Sequence, residues 1–72
     1  MEFYERLQQT REDRDLSQSD IASILKTTKQ QISKYETGYQ TMTVPKLKTL
    51  CLALNVSADY LLGLPRGLEW PR

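Results

Sequence analysis

The residues best suited to chemistry in this sequence are the polar side chains of one short predicted helix that begins at Thr28. At about 100° per residue, Lys29, Gln30, Ser33 and Lys34 fall within one sector of about 140°, opposite the apolar residues of the segment. A glutamine amide can bond N6 and N7 of adenine in the major groove of DNA, and lysine can reach guanine or a phosphate. A solvated surface helix shows the same pattern, so this pattern needs support from the rest of the chain.

Charge is distributed unevenly along the chain. Residues 1–25 hold three basic and six acidic side chains, whereas residues 26–48 hold five lysines and one glutamate. The charges of residues 49–72 cancel, and the formal net charge is +1. Because binding to a polyanion depends on where charge lies, the basic middle segment favours nucleic-acid binding, although a solvated helix face is also consistent with it. We expect the acidic residues of the first segment to face away from DNA.

Length and composition exclude several classes of function. The 72 residues suffice for one domain, and the chain has no histidine and one cysteine, Cys51. An internal disulfide and a Cys/His zinc site are therefore impossible, and we read Cys51 as a small buried apolar residue. No catalytic motif is present, so we expect no enzyme activity, metal, cofactor or small-molecule ligand. Without a long apolar stretch or a signal peptide, we expect a cytoplasmic protein with no membrane partner.

Start and stop signals divide the chain into five short helices. All but the first helix begin at a serine or threonine that can cap it, and they end at residues such as Gly38, Asn55 and Gly63 that accept a left-handed backbone. The expected boundaries are 2–14 for helix 1, 17–25 for helix 2, 28–37 for helix 3, 43–55 for helix 4 and 57–63 for helix 5. Pro45 fits the first turn of helix 4, where its missing N–H is not needed.

The apolar residues at helical spacing predict the core. Helix 1 has a thin apolar face, with Phe3 and Leu7 extended by the stems of Arg11 and Arg14. The side of helix 4 that we expect to face inwards is formed by Val44, Leu47, Leu50, Cys51 and Leu54. The predicted core consists of Ile21, Ala22, Leu25, Ile32, Leu47, Leu50, Leu54, Val56 and Leu61.

The short connection between helices 2 and 3 favours a crossed helix pair, the helix-turn-helix. The segments that carry this pattern are LSQSDIA at 16–22, TTKQQISKYETG at 27–38, and 47–62. Together they resemble the phage repressor/Cro-type helix-turn-helix family, also called the XRE family, over residues 3–63. The resemblance implies an all-α, five-helix, lambda-repressor-like bundle and a DNA-binding domain over 1–63. It also implies sequence-specific binding to a double-stranded DNA operator, usually as a homodimer, by a transcriptional regulator, most often a repressor.

The resemblance assigns roles to particular residues. Lys29, Gln30, Ser33 and Lys34 match the positions that read base edges from the recognition helix. Residues expected at the phosphates are Gln18, Lys26, Thr28, Tyr39, Gln40, Thr41 and Lys46. For Gln18, the free N–H groups at the start of helix 2 support the same expectation. Arg11 and Glu36 match a pair that ties helix 1 to the end of helix 3, and we read them as structural.

Two features depart from the family pattern or leave alternatives open. Lys26 stands where the family often has glycine, so either Lys26 takes a strained left-handed backbone or the turn differs; one more phosphate contact could be the benefit. The tail, 64–72, contains Trp70 and is expected to dock on its own helices or to form a dimer contact; the alternative is that it is the beginning of a linker. The alternative function is a protein-interaction module of the same fold, such as an antitoxin or adaptor, whose binding would depend less on salt.

Overall fold

The computed structural model describes residues 2–65 and 68, and this part of the chain is all-helical. It contains five α-helices, and their order and type agree with the sequence prediction. The helices are α1 (Phe3–Asp13), α2 (Gln18–Leu25), α3 (Lys29–Glu36), α4 (Val44–Leu54) and α5 (Ala58–Leu62). Among the described residues, no helix has the length and apolar character needed to cross a bilayer, and no His, Cys, Asp or Glu cluster could hold a metal ion.

The predicted helix starts are confirmed by their hydrogen bonds. In each of α2 to α5 a hydroxyl accepts the backbone N–H three residues later, which satisfies one of the free donors of the first turn. The capping hydroxyls belong to Ser17, Thr28, Thr43 and Ser57. At Ser17 the capping box is complete, because its own N–H donates to the carboxylate of Asp20 at 2.8 Å. The boundaries of these helices are therefore determined by local sequence.

Helix ends use left-handed residues, as expected. Gly38 follows α3 with φ of 80°, and Asn55 ends α4 with φ of 53°. A Cβ at Gly38 would lie 3.0 Å from the ring of Tyr4, so glycine also allows α1 to pack closely here. The guanidinium of Arg14 donates to the carbonyl of Leu54 at 2.7 Å, which satisfies an acceptor near the C-terminus of α4.

Each helix contributes one fully buried aliphatic side chain to the core. These are Leu7, Ile21, Ile32, Leu50 and Leu61, each 0% exposed. The predicted core residues Ala22, Leu25 and Leu54 are also buried, while Leu47 and Val56 pack at its edge. Through this core α2 packs against α3 and α4, and α1 packs against α3 and α5. Packing against neighbours is what makes helices as short as α3 stable.

The prediction that Val44 faces the core is wrong, and Thr10 is buried although it was not among the predicted core residues. Val44 is 76% exposed, because the buried line of α4 runs through Leu50 and Leu54, about 100° away around the helix. Thr10 is buried beside Leu7 on α1, three residues along the same face. Cys51 is half-buried as a small apolar residue, and burial raises the pKa of its thiol.

Candidate nucleic-acid interface

The turn between α2 and α3 is tight and left-handed at Lys26. Lys26 has φ of 55° and ψ of 47°, and its N–H donates to the carbonyls of Ala22 and Ser23. The next N–H, of Thr27, donates to Ala22 at 2.9 Å. Lys26 therefore adopts a left-handed backbone, which decides between the two alternatives that the sequence left open for this position. The turn closes α2 onto α3 with Thr28 as the cap of α3.

Helix α3 has a buried side and an open polar side. Ile32, Tyr35 and Glu36 are buried, whereas Lys29, Gln30 and Lys34 are exposed and Ser33 is half-buried. The predicted base-reading residues thus share the open side, at angles spanning about 140° around the helix. Within the described residues, the side chains of Lys29 and Gln30 make no hydrogen bond or ion pair, so their donors and acceptors are available to a ligand.

One flank of this open side is formed by the loop after α3. The N–H groups of Tyr39 and Gln40 both donate to the carbonyl of Lys34, at 3.0 and 3.2 Å. The Lys34 ammonium lies 5.9 Å from the centre of the Tyr39 ring, a cation–π distance. The loop is therefore attached to the C-terminal turn of α3, next to a predicted base-reading residue.

A second attachment of this loop was not foreseen from the sequence. The side-chain amide of Gln31 donates to the amide oxygen of Gln40. The residues between this bridge and α4 surround a shallow depression of about 530 Å³. Its lining residues are Thr27, Gln31, Tyr35, Gln40, Thr41, Thr43 and Lys46. Three predicted phosphate-binding residues, Gln40, Thr41 and Lys46, are thus brought together beside Gln31, for which the sequence predicts no binding role.

The other flank is formed by a buried charged cluster around Glu36. The Arg11 guanidinium donates from Nε to Oε2 of Glu36 at 2.7 Å and from Nη2 to Oε1 at 3.1 Å. A third donor is Gln18, whose amide Nε2 lies 3.1 Å from Oε1. The hydrogen bond to Glu36 is the main reason that the pKa of Arg11 is raised, which burial opposes.

The cluster ties three helices together at the start of α2. The side chains of Arg11 and Glu36 are only 12% and 3% exposed, and Arg11 Nη1 also donates to the carbonyl of Leu16 at 2.8 Å. Gln18 is thereby held on the Glu36 side of α3, apart from the other predicted phosphate residues. No feature of the local sequence connects Gln18 with Glu36, since 18 residues separate them.

The open side of α3 is therefore bracketed by groups suited to phosphates. Viewed along the helix axis, Glu36 lies next to one edge of the arc of predicted base-reading residues, and its carboxylate accepts a hydrogen bond from Gln18. Gln31 lies next to the other edge, and its amide donates to Gln40. A helix that enters the major groove has a sugar–phosphate backbone on either side. Side chains with polar groups able to bond phosphates therefore lie on both sides of the predicted base-reading arc.

The geometry agrees with the comparisons to known proteins. A family model described as a helix-turn-helix domain matches residues 4–66. No curated protein sequence matches the chain. Among solved structures, a transcriptional regulator from Listeria innocua superposes with a TM-score of 0.84 at 24% identity, covering 94% of this chain. This chain spans 64% of the length of that regulator.

Two further structures share the fold. The restriction-modification controller protein C.AhdI from Aeromonas hydrophila has a TM-score of 0.76 and 23% identity, over 83% of this chain and 91% of that protein. SinR, a master regulator for biofilm formation solved in complex with DNA, has a TM-score of 0.74 and 27% identity, over 82% of this chain and 95% of that protein. With the family match over most of its length, the chain belongs to the XRE-type helix-turn-helix family and has the fold of DNA-binding transcriptional regulators.

Proposed function

We propose that this protein binds double-stranded DNA sequence-specifically, with α3 in the major groove, and regulates transcription. The observation that carries the proposal is the open polar side of α3, bracketed by Gln18 on one flank and by the Gln40 loop on the other. The DNA complex of SinR, a structure of the same fold, supports this function.

In this proposal, Lys29, Gln30, Ser33 and Lys34 read base edges. Gln30 is suited to adenine, since its amide N–H can donate to N7 while its amide oxygen accepts from the N6 amino group, and the two lysines are suited to guanine or to phosphate. Residues proposed at phosphates are Gln18, Lys26, Thr28, Tyr39, Gln40, Thr41 and Lys46. Gln18 uses one amide donor on Glu36, and an amide group has a second N–H that can face a phosphate.

We further propose that the protein acts as a homodimer and as a repressor. Two copies would place their recognition helices about 34 Å apart, one turn of DNA, and would read a pseudo-palindromic operator. Occupying an operator needs no surface beyond the DNA-binding side, which favours repression. The predicted dimer contact of the tail, including Trp70, falls on residues largely outside those that the structure describes, and it stays a prediction.

Selection of random duplex DNA on the purified protein, followed by sequencing, tests the proposal. We expect an enriched two-fold symmetric site whose half-sites lie about one helical turn apart. Affinity for that site should fall with salt at a slope of about −0.9 per phosphate neutralised. A folded protein that enriches no sequence would contradict DNA recognition and would favour the protein-interaction module instead.

A further inference from the structure

Lys26 is an unusual residue for the backbone that it adopts. Five described residues have positive φ, and four of them are glycine, asparagine or aspartate, the types that tolerate this region. The five are Asp15, Lys26, Gly38, Asn55 and Gly63. A lysine in the left-handed region brings its Cβ close to the backbone and is strained relative to glycine. Nothing in the hydrogen bonding of the turn requires a lysine, because the contacts are made by its backbone.

The same lysine meets another positive charge. Lys26 and Lys46 line one shallow cleft of about 300 Å³ between the turn and the first turns of α4. The remaining lining residues are Ile24, Leu25, Pro45 and Thr49, so no acidic side chain lines this cleft. The cleft therefore offers two positively charged side chains, and no acidic one, to an anion.

The cleft adjoins the proposed DNA interface. Lys46 lines this cleft on one side and the depression with Gln40 and Thr41 on the other. We infer that Lys26 and Lys46 together bind one phosphate of the DNA backbone, and that Lys26 is retained in a strained turn because of this contact. The inference rests on the proposed function and deepens it, since it extends the path of one DNA strand from the Gln40 loop to the turn between α2 and α3.

The test compares Lys26→Gly, Lys46→Ala and the double variant with the wild type, using the duplex selected by the wild-type protein. Lys48→Ala is the matched control, because Lys48 lies about 160° around α4 from Lys46, in a groove with Val44 and Leu52. Binding is measured as a function of salt concentration, and thermal unfolding is measured for each variant. The same samples thus report both stability and phosphate contacts.

Lys26→Gly is expected to raise the stability of the free protein and to lower its affinity for DNA. Relief of strain should raise the melting temperature by about 4 °C or more, while affinity at about 0.15 M salt falls about five-fold. Because Lys46 still neutralises the shared phosphate, the salt slope of Lys26→Gly should shrink by clearly less than about 0.9. The double variant should lose about 0.9, and not about 1.8. Lys48→Ala should leave the salt slope unchanged.

Several results would overturn the inference without touching the proposed function. An unchanged affinity for Lys26→Gly would show that Lys26 contacts no phosphate, and a lowered melting temperature would mean that a favourable interaction with the end of α2 outweighs the strain. Additive slope changes would mean two separate phosphates. If the wild-type protein selects no duplex at all, the proposed function itself fails, which is a distinguishable outcome.

Discussion

Replacing Arg11 with methionine is expected to destabilise the protein severely. The change removes both hydrogen bonds that Arg11 makes to Glu36, at 2.7 and 3.1 Å, and leaves a carboxylate whose side chain is 3% exposed. Only Gln18 would still donate to that carboxylate. Breaking a buried pair by removing one partner costs about 3–5 kcal/mol, because the remaining charge is stranded away from water.

That loss is large for a domain of this size. At about 0.05–0.15 kcal/mol per residue, a 72-residue protein has a free energy of unfolding of about 4–11 kcal/mol. Arg11→Met should therefore lower the melting temperature by about 15 °C or leave the protein unfolded. Urea unfolding followed by circular dichroism measures the loss, and the variant Glu36→Met should be destabilised as well, since it strands Arg11.

The double variant Arg11→Met/Glu36→Met isolates the interaction energy between Arg11 and Glu36 from the other contacts of these residues. Because no charge is then left buried, much of the lost stability should return, and the coupling energy of the double-mutant cycle should exceed about 2 kcal/mol. The bond from Arg11 to Leu16 is absent in the Arg11 single variant and in the double variant, so it does not enter the coupling. Single variants that each lose less than about 1 kcal/mol, with no coupling, would mean that the pair behaves like a solvent-exposed one and that the reasoning is wrong.

Three further predictions concern single side chains. Gln30→Ala should leave the melting temperature nearly unchanged, because Gln30 is exposed, and should relax the preference at one base pair by about 1–3 kcal/mol, measured by binding to a panel of single-base variants. Gln31→Ala removes the bridge to Gln40 and should weaken binding to every duplex of that panel equally, since the bridge positions a phosphate-binding loop; a change in base preference would contradict this. Hydrogen bonds from Ser17 lower the pKa of Asp20, so the ionised Asp20 stabilises the fold above about pH 4 and this stabilisation is lost as the pH falls. Asp20→Asn should therefore reduce the dependence of the free energy of unfolding on pH in the acid range. An unaltered dependence would count against this capping interaction.

Local sequence determined most of the fold. Ser17, Thr28, Thr43 and Ser57 begin helices as their side-chain chemistry predicts, and the ends follow from residues that accept a left-handed backbone. The boundaries could be read from the sequence because each depends on contacts within three or four residues. Val44 was misplaced because an apolar residue at the first turn of a helix can lie beside the buried line, and periodicity alone does not fix the rotation of a helix against its neighbours.

The open side of α3 was also readable, because it depends only on helical spacing and on which residues are apolar. The contacts that position the residues on its two flanks could not be predicted from the sequence. The bond from Gln18 to Glu36 joins residues 18 positions apart, and the bridge from Gln31 to Gln40 joins a helix to a loop. The first depends on the packing of α2 against α3, and the second on the folding of the loop back onto α3, and neither leaves a recognisable pattern in the local sequence. The left-handed backbone of Lys26 was one of two alternatives that only the three-dimensional structure separates.

The most direct test of base reading by α3 uses modified bases in the selected duplex. Replacing one purine at a time by its 7-deaza analogue removes the N7 acceptor in the major groove and leaves the minor groove intact. If α3 reads the major groove, at least one substitution in each half-site should weaken wild-type binding about five-fold or more, and Gln30→Ala should be insensitive at one of those positions. Equal affinity for every substituted duplex would contradict major-groove recognition by α3.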